Sequence, residues 1–142
     1  MNATVHASVA RLGTRGVLIR GAAGSGKSSL LLSLIFDAGA MLVADDRVAL
    51  AASGGRLVAA APEAIAGRME VRGVGIVRRP YVSPATIDLV VDLLPLDECP
   101  RLPDDADKRT VLAGVAVPRI FIAAGAGDGT ARIRAALAEL YE

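Results

Sequence analysis

Short apolar segments separated by glycine and proline dominate this chain, and few segments repeat hydrophobic residues with a helical period. Residues Thr4 to Leu12 alternate loosely between apolar and polar types, which predicts a strand. Residues 16–20 form a second apolar segment after a turn and predict another strand. In residues 28–37 leucine and isoleucine recur on one side, which predicts a helix that Gly39 terminates.

Further along the chain the apolar segments are short enough to be strands. We predict four of them, at residues 41–44, 48–52, 57–61 and 86–93. The sequence Ser53-Gly54-Gly55 predicts a hairpin between the second and the third. Residues 69–77 are apolar and rich in glycine, and Pro80 and Pro84 mark a loop after them.

The C-terminal part predicts a loop, two strands and a helix. Residues 95–107 are polar and rich in proline, so they are predicted to form a surface loop. Residues 109–122 are predicted to form two short strands around Pro118. The final helix is predicted to start at Asp128 or Thr130 and to end at Tyr141, with one apolar face formed by Ile133, Leu137 and Leu140.

Strands outnumber helices in this prediction, which differs from a regular alternation of strand and helix. We therefore predict an α/β fold with a mixed sheet rather than a purely parallel one. The 142 residues, of which 53% are hydrophobic, suffice for one domain spanning residues 1–142.

Charge and composition narrow the classes of partner. The formal net charge is +1, which indicates no nucleic-acid partner and no anionic membrane surface. No apolar run is long enough to span a bilayer, and the first ten residues do not resemble a signal peptide. The single cysteine, Cys99, excludes an intrachain disulfide and a multi-cysteine metal site. We expect a cytoplasmic protein.

A glycine-rich segment after the second predicted strand is the strongest chemical signal. It fulfils the pattern G-x-x-x-x-G-K-S/T between an apolar strand and an amphipathic helix. Its glycines let backbone N–H groups turn toward phosphate oxygens, and the helix start adds a positive dipole end. Lys27 suits the β- and γ-phosphates of a nucleotide, and the Ser28 hydroxyl suits Mg²⁺. The alternative is a structural glycine turn. The predicted nucleotide-binding residues are Gly21, Ala22, Ala23, Gly24, Ser25, Gly26, Lys27, Ser28 and Ser29.

Two adjacent acidic residues, Asp45 and Asp46, end the strand after the predicted helix. One carboxylate could hold Mg²⁺ through water, and the other could accept a proton from an attacking hydroxyl. Without the phosphate loop a solvated turn would be the preferred interpretation. His6 is the only histidine, and such a residue is more often packed or exposed than catalytic. If the first two strands pair across the turn at residues 13–16, His6 could lie near the nucleotide.

These segments together resemble the HPr kinase/phosphorylase family. The resemblance rests on four segments in order, over about residues 3 to 120, and on their spacing. They are His6-Ala7-Ser8-Val9, the loop Gly21 to Ser28, Leu42-Val43-Ala44-Asp45-Asp46-Arg47-Val48, and Glu70-Val71-Arg72-Gly73-Val74-Gly75-Ile76. Taken alone, the fourth segment could equally be a bulged strand with two exposed charges.

The resemblance implies a P-loop kinase fold related to phosphoenolpyruvate carboxykinase, without the family's N-terminal regulatory domain. It implies ATP and Mg²⁺ as cofactors, an HPr-type phosphocarrier as the protein that is phosphorylated on serine, a reverse phosphorylase reaction and a hexamer. By this resemblance Asp45 is the base, Asp46 supports it and orients the metal, and His6 tunes the pair. It further implies that Glu70 helps to hold Mg²⁺ and that Arg72 contacts phosphate or stabilises the loop.

The chain departs from the family pattern at several positions. Ser29 stands where the family usually has an acidic residue, and Val77 where asparagine or aspartate is usual. Residues 115–120 are the candidate for the family's substrate-contact loop, in which Arg119 would contact phosphate or substrate. Two other functions remain open on these grounds. They are an ATP-binding sensor module with little catalysis, and a small-molecule P-loop kinase with an arginine-rich lid.

Overall fold

A computed structural model describes residues 3–142 of the chain. It contains eleven strands, two helices and two 3₁₀ turns, at residues Glu63–Ile65 and Leu96–Glu98. The strands are β1 (Ala3–His6), β2 (Ser8–Leu12), β3 (Arg15–Gly21), β4 (Met41–Ala44), β5 (Arg47–Ser53), β6 (Arg56–Ala60), β7 (Arg68–Val71), β8 (Gly75–Arg78), β9 (Ala85–Leu94), β10 (Arg109–Leu112) and β11 (Val115–Ala123), and the helices are α1 (Lys27–Phe36) and α2 (Gly129–Tyr141).

Nine strands form one mixed sheet, in the order β1-β5-β6-β9-β3-β2-β4, with β11 also paired to β9 and β10 paired to β11. Strands β3, β9 and β11 run parallel to one another, and the other pairs in this sheet are antiparallel. Strands β7 and β8 form a separate antiparallel hairpin. The prediction of an α/β fold with a mixed sheet is confirmed.

The central strands are buried on both faces, because alternate side chains enter two different hydrophobic clusters. In β3, Val17 and Ile19 pack with the buried residues of α1 and α2, whereas Leu18 enters a cluster with residues of β5 and β6. Leu31 and Leu34 of α1 and Ile133 of α2 are fully buried in the first cluster. This packing fixes α1 directly behind the end of β3, where the glycine-rich loop lies.

The segment Thr4 to Leu12 is two strands, so the prediction of one continuous strand is wrong. Strand β1 pairs with β5, and β2 pairs with β3 and β4. Between them the Ala7 N–H donates to the carbonyl oxygen of Asp46 at 3.2 Å. The apolar alternation continues across Ala7, so it gives no sign of the break. The break arises because the segment changes its pairing partner near Asp46, about 40 residues away in the chain.

Pro118 does not separate two strands, because it lies inside β11. The break falls instead at Ala113 and Gly114, which have positive φ angles of 49° and 76°. Up to Pro118 strand β11 pairs with β10, and from Arg119 onward it pairs with β9. A proline that lacks an N–H is tolerated at this change of partner.

The helices otherwise follow the prediction, with one exception. Ile133 and Leu137 of α2 are buried, but Leu140 is 45% exposed, so the predicted apolar face ends one turn early. Among residues 3–142 neither helix is long and apolar enough to cross a membrane.

Candidate nucleotide and catalytic site

The glycine-rich loop connects the end of β3 to the start of α1. Gly24 and Gly26 have φ angles of 79° and 98°, in the left-handed region that glycine adopts without steric cost. Gly26 precedes α1 without a capping side chain, and the first turn of this described helix holds no acidic residue. Its first N–H groups are therefore available to an anion, where the helix dipole also favours negative charge.

Lys27 lies along the inside of this loop. Its Nζ donates hydrogen bonds to the carbonyl oxygens of Gly21 at 2.9 Å and Ala22 at 3.3 Å. Gly21 has no room for a side chain, because a Cβ there would lie 2.5 Å from Ser25 Oγ and 3.0 Å from Leu93 Cβ. The loop is therefore held tightly to the sheet, and the ammonium group of Lys27 lies inside it.

A pocket of about 740 Å³ opens in front of the loop. Most of the predicted site residues line it, together with Leu32 and Val71, to which the sequence assigned no role in the site. The predicted residues in the lining are His6, Gly21, Ala23, Gly24, Gly26, Lys27, Ser28, Ser29, Asp46, Glu70 and Arg72.

The two aspartates differ in position. Asp45 is 7% exposed, lies outside the lining of the pocket, and accepts hydrogen bonds from Ser8 Oγ at 2.9 Å and the Glu70 N–H at 3.1 Å. Asp46 lies in the pocket with its side chain 69% exposed. Both oxygens of Asp45 are thus engaged in the interior, whereas Asp46 is the carboxylate that faces the pocket.

Asp46 also has a backbone conformation unusual for a residue with a side chain. Its φ angle is 70°, and aspartate is among the residues that tolerate this region. Its N–H donates to Ser8 Oγ at 3.2 Å, so one hydroxyl group contacts both aspartates. Ser8 belongs to the segment that carries His6, yet its residue type alone gave no sign of this role.

His6 lies beside Asp46, because β1 pairs with β5 so that His6 is opposite Arg47. Its Nδ1 is 3.5 Å from Asp46 Oδ1, and its Nε2 is 3.5 Å from Nη2 of Arg47. The first two predicted strands do pair, as β2 with β3, and the pairing of β1 with β5 places His6 next to Asp46.

The β7–β8 hairpin forms another wall of the pocket. Glu70 and Arg72 line the pocket from its end, where Gly73 adopts a φ angle of 86° in the turn. The hairpin is tied to the sheet through the Glu70 N–H and Asp45. This segment is therefore a two-stranded hairpin, and not the bulged strand that the sequence left open.

Arg119, which the sequence singled out as a phosphate or substrate contact, is not among the residues that line the pocket. Its guanidinium donates to the carbonyl oxygens of Asp107 at 2.9 Å and Ala106 at 3.4 Å, and to Asp92 Oδ2 at 3.4 Å. Arg20 also pairs with Asp92. These contacts hold the 95–107 loop against β9 and β11, so the position of Arg119 indicates a structural role.

The donor set of the pocket suits a magnesium ion that is bound together with a phosphate chain. Among residues 3–142 no three His, Cys, Asp or Glu side chains converge into a metal site. The pocket offers the Ser28 hydroxyl and the carboxylates of Asp46 and Glu70 instead. Mg²⁺ is usually held by one or two protein oxygens, with phosphate and water completing its shell, so these residues fit it.

The family described as "HPr Serine kinase C-terminal domain" matches residues 1–141. The chain belongs to this HPr serine kinase family. A structure titled "Structure of the Hpr(Ser) kinase/phosphatase from Coxiella burnetii" superimposes with a TM-score of 0.81 at 27% identity, and covers 96% of this chain and 95% of that chain. The likeness confirms the expected family and fold.

Curated members of the HPr serine kinase family are longer than this chain. The HPr kinase/phosphorylase of Limosilactobacillus reuteri (strain DSM 20016) is 34% identical in an alignment of length 141 that covers 92% of this chain and 43% of that protein. The HPr kinase/phosphorylase of Mycoplasma mycoides subsp. mycoides is 29% identical in an alignment of length 140 that covers 90% of this chain and 44% of that protein. The chain thus spans less than half the length of these relatives.

Proposed function

We propose that this chain is an ATP- and Mg²⁺-dependent protein-serine kinase whose acceptor is a serine of an HPr-type phosphocarrier. The observation that carries the proposal is that one pocket combines the phosphate loop with Asp46 and His6. A phosphate-binding loop alone would also suit a binding protein, whereas a carboxylate facing the same pocket provides a base for phosphoryl transfer. The names of the relatives support HPr as the acceptor.

In this proposal the phosphate loop and Lys27 hold the β- and γ-phosphates of ATP. The acceptor hydroxyl oxygen forms a bond to the γ-phosphorus while the bond to the β–γ bridging oxygen breaks, and the hydroxyl proton moves to Asp46. The products are a phosphoserine and ADP. Asp45 acts as a positioning residue, because its hydrogen bonds hold Ser8 and the Glu70 backbone on either side of the base.

The other pocket residues receive supporting roles. Mg²⁺ would neutralise phosphate charge, and Ser28 and Glu70 are the residues that would hold it. His6 orients the Asp46 carboxylate from 3.5 Å. Arg72, at the edge of the pocket, would contact a phosphate group of either substrate. With phosphate as the attacking group and phosphoserine as the substrate, the same residues would catalyse the reverse phosphorylase reaction.

The direct test incubates the purified chain with Mg-ATP and the HPr-type protein of the same genome, and locates the phosphoserine by mass spectrometry. We expect phosphorylation by the unaltered chain and none by Lys27→Ala or by Asp46→Asn. Only Lys27→Ala should also lose ATP binding. Lys108→Ala is the matched control, because Lys108 is the other lysine of the chain and is exposed on a distant loop.

The outcomes separate the proposed kinase from its alternatives. ATP binding that depends on Lys27, without any phosphoserine on HPr, would refute the proposed kinase and favour a sensor module. Transfer to a small metabolite, with none to protein, would favour a small-molecule kinase. ATP binding that survives Lys27→Ala would show that the phosphate loop is wrongly assigned.

We also propose a cytoplasmic homo-oligomer, with the hexamer that the family resemblance implies. The described surface carries several large exposed apolar side chains that a subunit interface could cover, among them Leu96 and Leu102 at 77% and 89% exposure. Native mass spectrometry of the purified chain tests this proposal, and a monomer at micromolar concentration would refute it.

A further inference from the structure

A second cavity of about 340 Å³ lies beside the phosphate loop, on the side away from Asp46. It shares Gly26 and Ser29 with the first pocket, so the two cavities meet at the start of α1. The proposed chemistry makes no use of this cavity. Its other walls come from the ends of β9 and β11, from the loop after β11 and from the start of α2.

We propose that this second cavity binds the nucleoside part of the nucleoside triphosphate, with its base between α1 and the loop of residues 123–127. The inference rests on the proposed function, since it requires the phosphates to occupy the loop at Gly21 to Ser28. Strands β3, β9 and β11 are parallel, so their carboxyl ends lie along one edge of the sheet. In open α/β sheets ligands bind outside these ends. The phosphates lie at the end of β3, and the nucleoside extends to the ends of β9 and β11.

The chemistry of the cavity suits a flat ring with apolar faces and a polar edge. Leu30, Leu93 and Ile122 give it apolar walls. Two hydroxyl groups, Ser33 Oγ and Thr130 Oγ1, lie 2.8 Å apart in the lining and can each donate or accept a hydrogen bond. The lining combines these apolar side chains with hydroxyl and backbone groups, and its volume lies near the lower end of the range usual for small-molecule sites.

Glycines keep this cavity open and close to the phosphate loop. A Cβ built on Gly26 would lie 3.9 Å from the backbone nitrogen of Gly125, so the 123–127 loop runs next to the phosphate loop. A Cβ on Gly129 would lie 2.8 Å from Leu30 Cδ1 and would push this leucine from its place in the wall. Backbone N–H and carbonyl groups of a loop that is short of side chains can then approach a base edge directly.

The test compares two ligands that differ only in the nucleoside. Mg-ATP should contact both cavities, whereas inorganic tripolyphosphate with Mg²⁺ should contact the phosphate loop alone. The variant Ser33→Leu fills the second cavity, and we expect it to weaken ATP binding by about tenfold or more, as measured by calorimetry, because the base loses its place. Tripolyphosphate binding should change less than about twofold. Ser53→Leu, in an exposed hairpin turn, is the control for the same substitution far from the site.

A direct experiment keeps the inference testable if Ser33→Leu fails to fold. The unaltered chain is irradiated with 8-azido-ATP, whose reactive group sits on the base, and is then digested with trypsin. Labelling within residues 120–132, or at Leu30 or Ser33 of α1, would support the inference, and labelling confined to residues that do not line the second cavity would overturn it.

Two results distinguish failure of this inference from failure of the proposed function. If tripolyphosphate binds in a manner that Lys27→Ala abolishes, and ATP binds Ser33→Leu as tightly as the unaltered chain, the base lies elsewhere and only this inference fails. If neither ATP nor tripolyphosphate binds, the proposed nucleotide site fails and the inference fails with it.

Discussion

Exchanging each aspartate of the Asp45–Asp46 pair for asparagine should separate stability from catalysis. Asp45 is buried and accepts two hydrogen bonds, from Ser8 Oγ and from the Glu70 N–H. The asparagine side chain in Asp45→Asn would keep one oxygen, which can serve the Glu70 N–H. Its amide NH₂ group would then face the Ser8 hydroxyl, which loses its acceptor. Asp46 makes no comparable interior contact through its side chain, which is 69% exposed.

The expected magnitudes follow from these contacts. A hydrogen bond to a charged group contributes about 1.5–3 kcal/mol, so Asp45→Asn should lower the free energy of unfolding by about 2 kcal/mol. For a domain of this size about 1 kcal/mol shifts Tm by roughly 3–5 °C, so Tm should fall by about 6–10 °C. Asp46→Asn should change stability by less than about 0.5 kcal/mol, because the site is exposed and asparagine tolerates the positive φ. Loss of a general base should lower kcat by about 10²–10⁴-fold.

The assay measures Tm and the free energy of unfolding by circular dichroism for both variants, and kcat with HPr at a temperature where both are folded. Asp105→Asn, on the exposed 95–107 loop, is the control for a charge change that touches neither site. Alanine is a poorer replacement at position 46, since it tolerates the left-handed region less well than asparagine.

The opposite pattern would refute the reasoning. If Asp45→Asn is as stable as the unaltered chain but inactive, Asp45 is the base and its buried position does not represent the working enzyme. If Asp46→Asn transfers phosphate at the unaltered rate, the carboxylate that faces the pocket has no part in proton transfer.

Three further predictions concern other parts of the structure. Gly16→Ala should prevent folding or reduce stability severely, as measured by urea unfolding, because a Cβ there would collide with the Thr86 carbonyl oxygen in β9; a variant with unaltered stability would show that β3 and β9 are farther apart. Tyr141→Phe should lower stability by about 1 kcal/mol, because the phenol donates a hydrogen bond to the Asp88 carbonyl oxygen at 2.8 Å. Burial, and then the Asp88 carboxylate, raise the pKa of Tyr141, so the stability from its neutral form is full below about pH 10 and is lost as the pH rises through the folded-state pKa. The unaltered chain should therefore lose stability more steeply above about pH 10 than Tyr141→Phe does, and parallel pH curves would contradict this.

The sequence predicted the part of the site that is local in the chain. Strand, glycine loop and helix follow one another at residues 15–36, so their order and spacing are enough to place Lys27 and Ser28. The arrangement of Asp45 and Asp46 was not predictable in this way. Both residues lie in the turn between β4 and β5, and which of them is buried depends on Ser8 and on the β7–β8 hairpin.

Contacts between distant parts of the chain also explain why other features could not be predicted from the sequence. The position of Arg119 depends on Asp92 and on the backbone of the 95–107 loop, which lie 12 or more residues away. The interruption between β1 and β2 likewise depends on a distant residue, because the Ala7 N–H donates to the carbonyl oxygen of Asp46. The second cavity could not be predicted from the sequence, because serine, threonine and glycine also occur in ordinary turns and on helix surfaces.

The parallel ladder between β3 and β9 has a consequence for how the protein is made. Gly21 pairs with Leu93, and 72 residues separate them. Parallel pairing of such distant segments cannot form until both have left the ribosome, and non-local pairings of this kind form slowly. A growing chain that has reached only residue 80 already contains the whole glycine-rich motif, but one side of the strand in front of it has no partner. Nucleotide binding should therefore begin only after β9 has been synthesised.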